Sequence, residues 1–179
     1  MKLKIKVKRI NKNIPLPKVI DKGDWIDLRA AETISLRAPQ AETLKRYMVN
    51  GKGASHRDVS FDNKLVNLGL AVKLPEGFEA VVLPRSSAFN NFGVILANSE
   101  GVIDNSYCGN NDEWKFNAVA FRDTVINEGD RIGQFRIQLS QKATFWQKLK
   151  WLLSSGVEII EVDEFEDPDR GGIGSTGLK

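Results

Sequence analysis

Four short segments carry the residue types from which a phosphate-binding or water-activating site could be made. Near the C-terminus, Arg170-Gly171-Gly172-Ile173-Gly174-Ser175-Thr176-Gly177 sets one guanidinium and two hydroxyls among glycines. Glycine lets backbone N–H groups approach an anion closely, and Arg and the hydroxyls supply directed donors, so a phosphate chain suits the stretch. It is not a P-loop, because no Gly-Lys-Ser/Thr follows and no helix is predicted after it. A flexible polar tail would be written in the same letters. Pro84-Arg85-Ser86-Ser87 places a second guanidinium and two hydroxyls at the end of the apolar run Ala80–Leu83, where they either meet phosphate oxygens or close a strand with a turn. Gly101-Val102-Ile103-Asp104-Asn105-Ser106-Tyr107 puts one carboxylate after two β-branched residues, with an aromatic ring three residues on. Such an Asp can hold a water as general base, and such a ring can stack on a sugar or base. An Asx-turn Asp beside a core Tyr explains the same residues equally well. Gly129-Asp130-Arg131-Ile132-Gly133-Gln134 reads as a hairpin turn entering a strand. The amide of Gln134, inside an apolar run, needs a partner if buried.

The elements that must position these residues are mostly strands. Leu3, Ile5 and Val7 alternate with Lys2, Lys4, Lys6 and Lys8, the period of a strand with one buried and one wet face. The patterning predicts further strands at Trp25–Arg29, Thr33–Leu36, Leu68–Leu74, Glu79–Leu83, Val94–Ala97, Trp114–Phe121, Ile132–Leu139 and Val157–Val162. Turn-formers such as Pro75-Glu76-Gly77, Asn90-Asn91-Phe92-Gly93 and Asn127-Glu128-Gly129-Asp130 separate them. Many short strands without alternating long helices predict an all-β sandwich, barrel or jelly roll. Two stretches break the rhythm. Pro39 to Val49 is predicted as a short helix, with Leu44, Tyr47 and Met48 at i, i+3, i+4 and a stop at Asn50-Gly51, followed by a polar loop through Asn63. Lys142 to Leu153 is a second predicted helix, whose Phe145, Leu149, Leu152 and Leu153 share a face expected to pack against the body or a sister subunit. Glu161 to Asp169 is acidic and the ten residues after it carry almost no apolar material, so this tail is expected to be mobile until a ligand orders it.

Composition narrows the function classes. A chain of 179 residues with 41% hydrophobic and 27% charged residues suits one compact domain, and its apolar runs are too short for a membrane span. The net charge of +3 suits an anionic ligand but not a protein that coats nucleic acid, and no stable nucleic-acid binding is expected. Cys108 is the single cysteine, which excludes an intramolecular disulfide framework and a Cys-rich zinc module and fits a reducing, cytoplasmic setting. No secretory signal is recognisable at the N-terminus. His56, the single histidine, lies in the polar loop and is expected to be exposed, and Cys108 to be a passive thiol. No metal cage is visible, so a divalent ion would come on a phosphate ligand with its waters and at most one protein carboxylate.

Taken together and in this order, the segments resemble the trimeric deoxyuridine triphosphatase (dUTPase) family, phage or prophage members included. Five motifs characterise that family, and their counterparts here are Asp27-Leu28-Arg29-Ala30, Pro84 to Ser87, Gly101 to Tyr107 with Gly109, Gly129 to Gln134, and Arg170 to Gly177. The resemblance implies a jelly-roll subunit of the β-clip type, with residues 1–163 as the β domain, two short helical insertions at about 38–63 and 140–155, and a flexible C-terminal arm over 164–179. It implies a homotrimer with sites shared between subunits, and Mg²⁺-dependent hydrolysis of dUTP at the α-phosphorus to dUMP and pyrophosphate. That reaction keeps uracil out of DNA and supplies dUMP for dTMP synthesis.

Carried residue by residue, Asp104 would orient and deprotonate the attacking water. Tyr107 would stack under the deoxyribose and exclude a 2′-hydroxyl. Asn98, Gly101 and Ile103, with backbone groups of the hairpin around 98–109, would read the uracil edge. Arg85, Ser86, Ser87 and Gln134 would contact phosphates. Arg170, Gly174, Ser175 and Thr176 would close over the β and γ groups, and Asp27 would sit near the metal through water. The family usually has Phe where Ile173 stands, to stack on uracil; here Ile173, or an aromatic such as Phe116 or Trp114, would cover the base. A dCTP deaminase of the same fold is the enzymatic alternative, although the Arg170–Gly177 tail argues against it. A body whose insertions bind a regulatory partner is the non-enzymatic one.

Overall fold

The structure is a computed structural model and describes residues 1–19 and 23–172. Ile173, Gly174, Ser175 and Thr176 lie outside the described residues. In chain order the elements are β1 (Leu3–Arg9), β2 (Ile26–Arg29), β3 (Ile34–Leu36), β4 (Gln40–Ala41), β5 (Lys45–Val49), β6 (Lys52–His56), β7 (Val59–Ser60), β8 (Asn63–Lys73) and β9 (Phe78–Pro84). They continue with α1 (Ala88–Phe92), β10 (Val94–Leu96), β11 (Gly101–Ile103), β12 (Glu113–Ala120), β13 (Thr124–Ile126), β14 (Arg131–Leu139), α2 (Phe145–Leu152) and β15 (Val157–Glu161).

Two sheets make the body, ordered β10-β12-β8-β1-β15 and β11-β9-β14-β2. Strict alternation drives them together. Leu3, Ile5 and Val7 are buried while the lysines between them are exposed, and along β12 Trp114, Phe116, Ala118 and Ala120 all point inward. Facing residues of the second sheet, Leu28, Phe78, Ala80, Val82 and Phe135, complete the core. Trp114 and Phe135 join the two layers edge to face with centroids 5.1 Å apart. The jelly-roll expectation thus holds, and short two-stranded pairs (β3 with β13, β4 with β7, β5 with β6) decorate it.

The two insertions depart from expectation in different ways. The segment predicted as a helix over Pro39 to Val49 is extended. Lys45–Val49 pairs antiparallel with Lys52–His56 across Asn50-Gly51, where both residues have positive φ (50° and 75°). Two left-handed residues in a two-residue loop make the primed turn whose twist matches a hairpin, and Asn-Gly is its strongest sequence signal. That signal outweighs one i, i+3, i+4 triplet. The second insertion is helical as expected, shortened to Phe145–Leu152 and started by a capping box in which Thr144 and Gln147 serve each other's backbone N–H. No residue of the helix is fully buried, and Leu149 of the expected face is half-buried. Phe145, Leu152 and Leu153 are exposed, while Trp151 stacks on Phe78 at 5.3 Å and Gln147 covers Gly77. Loops become elements at α1, β11 and β13. His56 lies exposed on β6 rather than in a loop, edge to face with Tyr47 at 5.3 Å.

Candidate functional site

β11 pairs with β9 through Gly101–Val82, Val102–Val81 and Ile103–Ala80, so the chain leaves the sheet edge at Asp104. Asp104 then makes an Asx turn: its Oδ1 accepts from Ser106 N at 2.9 Å and from the Ser106 hydroxyl. The Asx-turn reading of this Asp holds, and the turn uses one oxygen, which leaves Oδ2 for another partner. That oxygen accepts from Arg170 Nη1 at 2.5 Å. Partial burial pushes the Asp104 carboxyl up, but the Ser106 hydrogen bonds and the Arg170 guanidinium outweigh it and hold the group below the ordinary 3.8. Asp104 is thus ionised at neutral pH.

Tyr107 is half-buried and donates its hydroxyl to the carbonyl of Glu113 at 3.0 Å, which fixes the ring beside Asp104. Burial, then the charges of Asp112, Glu113 and Asp169, push the phenol up, so it remains a donor. Asn105 Nδ2 ties the loop to the carbonyls of Leu74 and Pro75, each at 2.9 Å. Asn98, Gly101, Ile103, Asp104 and Tyr107 line one cavity of about 640 Å³, with Arg170, Gly171 and Gly172 at its edge. That volume suits a nucleotide-sized guest. Lys115 and Asn117, from the outer face of β12, also line it. Nothing in the sequence distinguishes them from other outward residues of a strand.

The remaining expected residues form a second cluster on the same four-stranded sheet, around β2 and β14 toward the edge opposite β11. Asp27 on β2 pairs with Arg85 Nε at 2.7 Å and with Arg131 Nη1 at 2.9 Å. Gln134 faces Asp27 across the ladder, and its amide, the one that needed a partner, donates to the Pro84 carbonyl at 3.2 Å. Ser86 is exposed, and Ser87 precedes α1 without a side-chain capping bond. Arg131 carries half of this ion-pair network and was not singled out among the candidates. Its position next to Gly129-Asp130 was the available signal. Asp27, Arg85, Ser86, Ser87 and Gln134 do not line the cavity that holds Asp104.

One expectation needs correction. Phe116 and Trp114 cannot cover a base, since both are fully buried in the core. The tail is not without anchorage: Phe165 is buried, and Asp169, Arg170 and Gly171 bond to Asn111 and Asp112. Both Asp27 oxygens accept from guanidinia, one from Arg85 and one from Arg131. No group of three or more His, Cys, Asp or Glu side chains among the described residues could hold a metal ion. Cys108 is buried, and burial followed by the Asp167 charge pushes its thiol up, which agrees with a passive role.

A two-sheet jelly roll with a nucleotide-sized cavity, an ionised Asp at its wall and a guanidinium on an arm defines a β-fold nucleotide-binding protein. The comparisons with known proteins narrow this. The dUTPase family model matches residues 57–149. The SPbeta prophage-derived deoxyuridine 5′-triphosphate nucleotidohydrolase of Bacillus subtilis strain 168 is 44% identical over 177 residues, which cover 99% of this chain and 100% of that one. The deoxyuridine 5′-triphosphate nucleotidohydrolase of Helicobacter pylori strain P12 is 30% identical, covering 98% of each chain. Among solved structures, the dUTPase of Streptococcus mutans aligns with a TM-score of 0.58 at 21% identity, over 78% of this chain and 98% of that one. The dUTPase of Staphylococcus bacteriophage 80alpha aligns at 0.57 and 18%, over 91% and 98%. The chain belongs to the dUTPase family.

Proposed function

We propose that the protein hydrolyses dUTP at the α-phosphorus to dUMP and pyrophosphate. The observation that carries this is the single cavity onto which Asp104, Tyr107 and Arg170 converge, with Asp104 held ionised. Asp104 Oδ2 is the oxygen placed to take a proton from water, once the triphosphate draws Arg170 away to its own oxygens. The ring of Tyr107, fixed through Glu113, forms a platform for the deoxyribose. Asn98 and the backbone of Gly101 to Ile103 supply the polar edge that reads uracil. Arg85 and Arg170 neutralise charge as it moves to the pyrophosphate leaving group. The intact arm motif favours this over a dCTP deaminase, and ammonia release from dCTP would reverse that choice.

A dUTPase from phage phi11 of Staphylococcus aureus holds a structural Mg(II) ion. Here both Asp27 oxygens already accept from arginines, so the donor set fits an ion that arrives on the nucleotide, with Asp27 accepting from its waters. Mg²⁺ bound in that way supplies charge neutralisation on the phosphate oxygens. The separation of the Asp27–Arg85–Gln134 cluster from the Asp104 cavity supports a homotrimer in which a second copy brings its phosphate-binding cluster to the first copy's cavity. We assign residues 1–163 to the β domain and 164–179 to a C-terminal arm that begins after the last strand, Val157–Glu161. Among the described residues no helix is long and apolar enough to cross a membrane. We assign the protein to the cytoplasm, a reducing setting that its single, buried and unpaired cysteine fits. Phage dUTPases of Staphylococcus are described as controlling transfer of virulence genes. A regulatory partner of this chain would use the exposed hairpin Lys45–His56. Pyrophosphate release measured across dUTP, dTTP, dCTP and UTP tests the assignment: dUTP alone should be turned over, and equal rates on dTTP or UTP would refute it.

A further inference from the structure

Alternation along β12 sends Trp114 and Phe116 into the core and turns Glu113, Lys115 and Asn117 toward the cavity that holds Asp104. Two of these three are committed. The Glu113 carboxylate accepts from Gly69 N at 2.8 Å, and the Asn117 side-chain oxygen accepts from Asn63 Nδ2 at 2.8 Å. Elsewhere on the wall Asp104 pairs with Arg170, and Asn98 donates to the Glu100 carbonyl at 3.1 Å. Lys115 alone among the charged side chains of the cavity makes no hydrogen bond or ion pair with another described residue, and it is exposed.

Strand register sets which part of a guest Lys115 meets. At one end of the row the Glu113 carbonyl holds the Tyr107 hydroxyl at 3.0 Å, and with it the platform for the sugar. At the other end the Asn117 carbonyl accepts from Ala97 N at 2.8 Å, which brings Asn98 and the base edge alongside. Lys115 stands between the two, about 7 Å along the strand from Asn117. It therefore faces the base rather than the phosphates, which extend from the sugar toward Arg170. A lysine ammonium has three donors and no acceptor. Uracil offers it a carbonyl at C4, where cytosine carries an amino group that donates. A carbonyl oxygen has two lone pairs, so this one can accept from Lys115 as well as from the hairpin backbone. We propose that Lys115 is a specificity-determining residue that donates to the C4 carbonyl of the bound base and thereby favours uracil over cytosine. The orientation of the nucleotide, and with it this contact, rests on the proposed dUTP hydrolysis.

Calorimetry of the full chain with the monophosphates dUMP and dCMP tests this without needing turnover. Lys115→Met, which keeps the length of the stem, should lower the preference for dUMP over dCMP at least about tenfold through weaker dUMP binding, the loss expected for one hydrogen bond from a charged donor. Lys115→Arg, still a cation without an acceptor, should keep the preference within about threefold of wild type. Lys115→Glu, whose carboxylate can accept from the cytosine amino group, should lower the preference further than Lys115→Met does. In steady state Lys115→Met should raise KM for dUTP about tenfold and leave kcat within about threefold, the split of a contact made equally in ground and transition states. An unchanged preference in Lys115→Met overturns the proposal. So does an equal loss of affinity for both nucleotides, which would place the ammonium on the sugar or the phosphate. A wild-type chain that binds dUMP but releases no pyrophosphate from dUTP refutes the hydrolytic reading and leaves the dUMP-to-dCMP ratio to decide the contact, whereas one that binds neither monophosphate overturns both.

Discussion

Replacing Asp104 by Asn separates chemistry from architecture more sharply than any other single change. The amide keeps an oxygen for Ser106 N and the Ser106 hydroxyl, so the Asx turn that ends β11 survives. What disappears is the anionic Oδ2 and its pair with Arg170, in which the two side chains are 51% and 38% exposed. An ion pair that wet is worth about 0.2–1 kcal/mol, so Tm should fall by no more than about 4 °C. Turnover should respond on another scale. Loss of a general base costs about 10²–10⁴ in rate, and here the same oxygen also places the water, so kcat should drop about a thousandfold or more, equivalent to about 4 kcal/mol in the barrier. Affinity for dUTP, measured by calorimetry with the hydrolysis-impaired variant, should stay within a few fold, since Tyr107, Asn98 and the phosphate donors are untouched. Steady-state pyrophosphate release and a thermal melt on the same preparation decide the matter. Residual turnover within tenfold of wild type would refute the role of Asp104, and a fall in Tm above 10 °C would refute the claim that the turn persists.

Four further outcomes follow from the geometry. Asp27→Ala leaves Arg85 and Arg131 facing one another without their shared counter-charge; it should cost about 1 kcal/mol in urea unfolding and weaken dUTP binding, and unchanged stability and KM would count against the network. Asp104 is held below 3.8 by Ser106 and Arg170 against the opposing effect of burial, and Asp169 is held below it by Asn111. Because both folded values are depressed, their contribution to arm docking is complete above the unfolded range and is lost as pH falls through the folded values. Amide exchange at Arg170 and Gly171, corrected for intrinsic rates, should therefore stay flat down to about pH 4, and loosening already at pH 6 would contradict the assignment. Phe116→Ala removes a fully buried ring between the sheets and should cost about 3–5 kcal/mol, read by chemical denaturation; a cost below 1 kcal/mol would mean that the core is assembled differently. Replacing residues 45–56 by a short Gly-Ser linker should leave pyrophosphate release within twofold, since its strands are exposed except at half-buried Ala54 and line no part of the cavity.

Legibility in the sequence followed the range of the interaction. The alternation of Leu3, Ile5 and Val7, or of Trp114, Phe116, Ala118 and Ala120, reports a face directly, and these strands appear within a residue or two of their expected bounds. At Lys45–His56 a three-residue helical spacing competes with the Asn50-Gly51 turn signal, and the turn prevails because both of its residues adopt the positive φ that a tight hairpin requires. In α2 the period was right, and within one chain most of the face expected to meet the body or a sister subunit stays open. A stripe of Phe145, Leu149, Leu152 and Leu153 looks like the packing side, yet the neighbours on offer, Phe78 and Gly77, receive Trp151 and Gln147. The tail's lack of apolar residues suggested freedom, but a buried carboxylate can hold a backbone without any apolar contact.

By itself the sequence determined the fold class, the order of the five motifs and the chemical type of each candidate: a carboxylate with a ring three residues on, and guanidinia beside glycines and serines. These are local properties, carried by periodicity and spacing. Only the tertiary structure decided which candidates meet. Asp104, Tyr107 and Arg170 converge on one cavity while Asp27, Arg85 and Gln134 gather toward the opposite edge of the four-stranded sheet, and Asp112 accepts from the backbone of a segment 58 residues away in the chain. Those pairings depend on strand order and on which groups burial leaves in need of partners, and neither is written in any one stretch of the chain.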